Sequence, residues 1–379
     1  MLQRINKEPN NLLIKSYLNN DIVEFNRLID YGENVNCLNE NGESLMSMVI
    51  KSNRSIKDNK AYFSRLLKEE VILDQIGKEP SLCFTAMHCH KNPYYFEELL
   101  KHGVNTMVTG NYNINTIYGP ALFESLKYPD IFLELLLKQK PNLKIHNEMG
   151  RTIINELIQK SHYINDDNID KISNKLTMLI KAGADPNFRD RNSGNQAIHY
   201  IAEYCEDMSI VDIMESLNIK FDINSKNHYG NTPVYTSVIA FNTSMTSYFI
   251  KQGAKLDIFP NDRRTLLTTA IFHNSKEIFD LLIKEAPYLL KTIKEGNNVL
   301  HHIAGCHGSG NITGSGSQNP YFYSEIIKHA PELAFMKNNN NDTPFDVFKR
   351  GRKQSQKVIR IFKNLNQNHK TNEQLVISQ

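Results

Sequence analysis

Gly230-Asn231-Thr232-Pro233-Val234-Tyr235 opens a stretch that Gln252-Gly253-Ala254 closes, and the order of parts between them decides the fold. Thr232 is a helix N-cap, because its hydroxyl can accept from the free N–H groups of the first turn. Pro233 follows at the first helical position, where its missing donor costs nothing. Val234, Val238 and Ile239 give a short apolar stripe at helical spacing, and Asn242-Thr243 breaks it. A second helix spans about Ser244 to Lys251, carrying Met245, Tyr248, Phe249 and Ile250. Gly253 can take the left-handed backbone that ends it. Leu256-Asp257 leads into an extended finger, and Arg264-Thr265-Leu266-Leu267 starts the cycle again.

The opening phrase recurs at Ser44, Ser81, Thr116, Thr152, Gln196, Thr232, Thr265, Asn298 and Thr343. Most intervals are roughly 33–37 residues, the period of a helix-pair solenoid. A stack of such units has no central pocket; it has a long groove. Second-helix endings recur as well, as Leu28-Ile29-Asp30-Tyr31-Gly32, Leu99-Leu100-Lys101-His102-Gly103 and Leu179-Ile180-Lys181-Ala182-Gly183-Ala184-Asp185-Pro186-Asn187. Gly194-Asn195-Gln196-Ala197-Ile198-His199 and Gly296-Asn297-Asn298-Val299-Leu300-His301 repeat the opening with a histidine.

This plan resembles the ankyrin repeat: Gly-x-Thr-Pro-Leu-His, a helix, a turn, a second helix ending in Leu-Leu-x-x-Gly-Ala, then a β-turn finger. The tetratricopeptide array has a similar period but no glycine-terminated finger, so the ending at Gly183-Ala184-Asp185-Pro186-Asn187 separates the two. The resemblance implies an all-α ankyrin-repeat solenoid of about ten degenerate helix-turn-helix repeats with β-turn fingers. It covers residues 11–367, between a flexible stretch at 1–10 and a flexible tail at 368–379. The phrase at Thr116 is a poor match, because Gly119-Pro120 should disturb its first helix. Two long intervals predict inserts between paired helices, near 161–170 and 305–320, the second rich in Gly and Ser; a weaker one lies near 52–58. At the family's histidine position, His199 and His301 are expected to make structural hydrogen bonds.

Bulk composition narrows the function. Net charge is only +3, too little for a duplex nucleic-acid binder across the whole surface. The 5 cysteines are scattered and odd in number, which fits a reducing compartment better than a disulfide framework. The start lacks the apolar run of a signal peptide, and the apolar runs are too short to span a bilayer, which needs about 20 residues. The expectation is a cytoplasmic monomer without membrane insertion.

Several local clusters suggest chemistry. His88-Cys89-His90 near Cys83, and His301-His302 with Cys306-His307, have metal-like composition. Zinc needs four convergent ligands, and adjacent residues on one helix point to different faces. Gly305–Gly316 superficially resembles a phosphate loop but lacks the Lys-Ser/Thr ending and a preceding strand. Cys306 beside His307 lacks a third orienting group for nucleophilic catalysis. The expectation is therefore no metal, no cofactor and no catalysis. Lys349-Arg350-Gly351-Arg352-Lys353 with Lys357, Arg360 and Lys363 is a basic run, read as a solvated face of the last helix pair or as an import signal.

The middle fingers carry Phe188, Arg189, Arg191, then His228 and Tyr229, then Phe259, Arg263 and Arg264. Equivalent positions in a stack form a row, and Arg and Tyr are enriched at binding hot spots. These eight residues are the expected partner-binding row of a non-catalytic protein-interaction scaffold. Arg189→Ala with Arg263→Ala is expected to weaken binding and leave the melt unchanged. The degenerate repeats, inserts and Asn/Ile/Lys bias are similar to ankyrin-repeat effectors of intracellular bacteria, which implies a host protein as partner. The alternatives are an enzyme with an unconventional site and a structural or homo-oligomeric spacer.

Overall fold

The computed structural model describes residues 11–73, 81–89, 93–107, 111–113, 116–117, 120–161, 169–258, 264–294, 296–305, 317–351 and 354–377. Their helices follow one another in pairs. The first pairs are α1 (Leu12–Leu18) with α2 (Ile22–Asp30), α3 (Leu45–Lys51) with α4 (Ile56–Leu67), and α5 (Leu82–Cys89) with α6 (Tyr94–Lys101). Next come α7 (Ala121–Glu124) with α8 (Asp130–Lys138) and α9 (Ile153–Ser161) with α10 (Ile169–Lys181). Then follow α11 (Ala197–Tyr204) with α12 (Ser209–Ser216), α13 (Pro233–Ile239) with α14 (Thr243–Lys251), and α15 (Leu266–Phe272) with α16 (Lys276–Glu285). The last are α17 (Val299–Gly305) with α18 (Pro320–His329) and α19 (Pro344–Lys349) with α20 (Gln356–Ile377). The chain divides into two compact units, one of Met1–Leu157 with Asn165–Asp185, the other of Ile158–Ile164 with Pro186–Gln379.

In the second unit the local signals act as read. Thr232 Oγ1 accepts from Tyr235 N at 3.5 Å, and Pro233 stands in the first turn of α13. Val234, Tyr235 and Val238 are buried, while Ile239 is exposed. Asn242 caps α14, and its side-chain amide donates to Ala202 O (3.3 Å) and Cys205 O (2.6 Å), satisfying carbonyls at the end of α11. Thr269 Oγ1 donates to Tyr235 OH at 2.9 Å, joining α15 to α13. The α13–α14 pair therefore completes hydrogen bonds of its neighbours as well as burying its apolar stripe. Burial of one large side chain such as Tyr235 or Phe279 is worth about 1.5–3 kcal/mol, so a lone pair with half its stripe exposed would not hold. In the first unit Arg54 plays the part of Asn242: its guanidinium donates to Tyr17 O and Leu18 O and lies over the Tyr17 ring.

Departures from the regular plan have local causes. Thr116 caps no helix; it lies in a short strand, β2 (Thr116–Ile117), paired antiparallel with β1 (Asn111–Asn113). The helix begins only after Pro120 and lasts four residues before tightening into a 3-10 turn at Ser125–Lys127. The second helices α16 and α18 have no glycine in the turn that follows them. Ala286-Pro287 and Ala330-Pro331 instead start 3-10 turns, Pro287–Lys291 and Pro331–Ala334, whose Leu289, Leu290 and Leu333 are buried. Residues 52–55 are the lead into α4 capped by Ser55. The stretch 162–168 and the Gly/Ser-rich 306–316 lie outside the described residues, as do 1–10. Helix α20 continues to Ile377, into the stretch read from sequence as a flexible tail.

Candidate partner-binding surface

The fingers are built on an Asx side chain, buried at Asn227 and Asp190 and half-buried at Asn39, Asn147 and Asn338. Asn227 Oδ1 accepts from Tyr229 N (2.9 Å) and Asn231 N (3.0 Å), while the backbone closes with Asn227 N donating to Asn231 O at 3.0 Å. Asn39, Asn147 and Asn338 hold their turns in the same way. Asp190 does it with a carboxylate: it accepts from the N–H groups of Ser193, Gly194 and Asn195 and from the hydroxyls of Ser193 and Tyr200. These residues were missed from sequence, although a signal exists. Asn39, Asn147, Asn227 and Asn338 each stand five places before the Ser or Thr that caps the next helix, and Asp190 stands six before Gln196.

Neighbouring fingers are tied together. The Asn227 amide donates to Asn195 Oδ1 at 2.8 Å. Arg189 Nη1 donates to Gly194 O (2.9 Å) and Lys226 O (2.7 Å), bridging its own finger and the next. His228 N donates to Ser193 O at 2.8 Å, and its ring lies flat on Gly194, 2.4 Å from where a Cβ would stand. Beneath the fingers, His199 Nδ1 accepts from Gln196 N (3.3 Å), which leaves the Nε2 proton for Asn231 O (3.2 Å). His301 repeats both bonds with Asn298 N and Asp342 O, so the structural role expected of these histidines holds. Burial holds both rings neutral, lowering His199 to about 4 and depressing His301 in the same direction.

The expected row of eight therefore separates. Arg189 and His228 are exposed yet spend polar atoms on joining fingers, so a melt unchanged by Arg189→Ala is not what this geometry predicts. Arg191 and Tyr229 are exposed, Tyr229 at 57%. Phe188 is half-buried. Arg264 is half-buried with its guanidinium over the Phe272 ring, 3.9 Å from the centroid. Phe259 and Arg263 lie outside the described residues. Of the tyrosines on the adjoining first helices, Tyr200 and Tyr235 pack in the core, and Tyr204 stacks on Tyr200 at 5.8 Å.

The other clusters have ordinary surroundings where described. His88 Nδ1 is 2.9 Å from Tyr128 OH, and burial pushes the Cys83 thiol up to about 12. No group of three or more His, Cys, Asp or Glu able to hold a metal ion occurs among the described residues. His90, Cys306 and His307 lie outside them. Among the described residues no helix is long and apolar enough to cross a membrane.

Comparison with known proteins agrees with the geometry. Residues 205–293 match the family model described as ankyrin repeats (3 copies). A curated relative, phosphocholine transferase AnkX of Legionella pneumophila, is 30% identical over 130 residues, which is 33% of this chain and only 12% of that protein. A solved structure, the ankyrin repeat domain of Bcl-3, described as a unique member of the IkappaB protein family, is 19% identical with a TM-score of 0.47, covering 64% of this chain and 97% of that one. The paired helices, the capped openings at Thr232 and Thr265 and the match across 205–293 agree: over those residues the chain is built of ankyrin repeats.

Proposed function

We propose that the chain is a non-catalytic scaffold that binds a partner protein through the fingers of its second unit. The observation that carries this reading is the tie between fingers: Arg191 and Tyr229 project from backbone that Asp190, Asn227, Arg189 and His228 hold in place. Side chains offered from ordered backbone lose less entropy on association; Tyr gives large contact area with few rotatable bonds, and Arg adds a planar fork of donors. Phe188 and Arg264 are assigned to the same proposed surface, and Phe259 and Arg263 are assigned to it from sequence alone.

The reading is non-catalytic because stacked repeats offer an extended surface for a partner. The phosphocholine transferase matches this chain over too small a share of its own length to lend its chemistry. Its source supports the reading of this chain as an effector that meets a host protein in the host cytoplasm.

The test uses a partner identified by capture and then purified. Arg191→Ala with Tyr229→Ala should weaken its Kd at least tenfold, a hot-spot loss of roughly 1.4 kcal/mol or more, while the thermal melt stays put. An unchanged Kd removes the fingers as the site.

A further inference from the structure

Between Val347 and Asn372 the chain carries eight of its 44 Lys and Arg and none of its 41 Asp and Glu. The remainder holds 36 basic residues against 41 acidic ones, so a net charge of +3 conceals a cationic end on a weakly anionic body. Two of the eight are consumed in the fold. Lys349 pairs with Asp346 at 3.1 Å, and Arg350 donates to both carboxylate oxygens of Asp342 at 2.6 and 2.5 Å.

Four others, Lys357, Arg360, Lys363 and Lys370, lie on α20. That helix buries Val358 and Phe362, the latter stacked on Phe345 at 5.0 Å. Lys357, Arg360 and Lys363 fall on the opposite side and are exposed, and none has an acidic partner among the described residues. At 1.5 Å rise per residue they form a row about 9 Å long. The other exposed positions as far as Gln367 are Gln356, Asn364, Asn366 and Gln367 itself, all amides.

We propose that this face of α20 docks on the surface of an anionic phospholipid bilayer, by charge alone. Over residues 356–367 the helix spends Val358 and Phe362 on the core, whereas an inserting helix keeps its apolar side free. The exposed positions include no aromatic or aliphatic anchor of the kind that concentrates binding energy at protein interfaces. They offer no stacking platform for single-stranded nucleic acid. A duplex presents phosphates at fixed positions that a straight row must match, while lipid headgroups diffuse and gather beneath any spacing.

Each cation at an anionic bilayer is worth about fivefold in binding, so the three together supply about a hundredfold, and salt weakens them. The test is sedimentation of the full chain with phosphatidylcholine vesicles, with and without phosphatidylserine, at low and physiological salt. The expected result is binding only where phosphatidylserine is present, weaker at the higher salt. Lys357→Gln/Arg360→Gln/Lys363→Gln should lose about a hundredfold with an unchanged melt, and Lys357→Arg/Lys363→Arg should retain binding. Absence of phosphatidylserine-dependent binding, or equal binding by the triple variant, overturns the proposal. So does tighter binding to duplex DNA, or to a polyglutamate peptide, at the same salt.

Discussion

Two residues test how closely neighbouring repeats approach. Gly194 and Gly296 have φ of +70° and +77°, where an added Cβ costs about 1–2 kcal/mol by itself. At Gly194 the Cβ would meet the His228 ring, which can swing outward; at Gly296 it would stand 2.8 Å from the backbone N of Asn339 as well as against its side chain. Gly296→Ala should therefore destabilise more than Gly194→Ala, and urea midpoints of the two variants would rank them. Phe241 presents the opposite case. It has φ +59° in the turn between α13 and α14, where the equivalent turns place Asn20 and Asn274 at the same φ. Asn tolerates this backbone better than a bulky ring. Phe241 is 53% exposed and makes one edge-on contact with His273, so the core would lose little. Phe241→Asn should raise stability by about 1 kcal/mol; a lowered urea midpoint would show that the ring contact outweighs the backbone.

At the scale of the element, a finger is a turn clipped to a helix, and the clip titrates. His199 is neutral in the fold, with a value lowered to about 4 from 6.5 by burial. Between those values the unfolded chain binds a proton that the folded chain refuses, so stability rises with pH across the window. Acidification from about 6.5 to about 4 should remove about 3 kcal/mol through this one ring, and His301 should add a loss of the same sign. Denaturant midpoints measured across the window would follow this slope, and His199→Gln should flatten it. The sequence displayed the helix caps, the glycine endings and the histidines, because each is a local preference with a fixed place in the repeat. It concealed which exposed finger residues are free. Arg189 and Arg191 look alike in sequence, and the bonds of Arg189 to Gly194 O and Lys226 O distinguish them. The Ala286-Pro287 and Ala330-Pro331 turns were equally hidden, since their buried leucines depend on the following repeat for cover.

On the scale of the whole molecule, cooperativity should be local. In the second unit α13 lies between α11 and α15: Asn242 reaches back to Ala202 O and Cys205 O, and Tyr235 accepts from Thr269 ahead. The pair α19–α20 instead closes on α18 through Tyr323, Phe348 and Phe362. In an array whose stability is a sum of repeat and nearest-neighbour terms, damage spreads from the point of injury with a cost at each boundary. Tyr235→Ala removes a fully buried ring and should cost about 3–5 kcal/mol. Native-state hydrogen exchange should then show protection falling first in α13 and next in α11 and α15, with α18 to α20 keeping most of theirs. Uniform loss across the unit would mean that its repeats unfold as one block, and an additive account of stability would have to be given up.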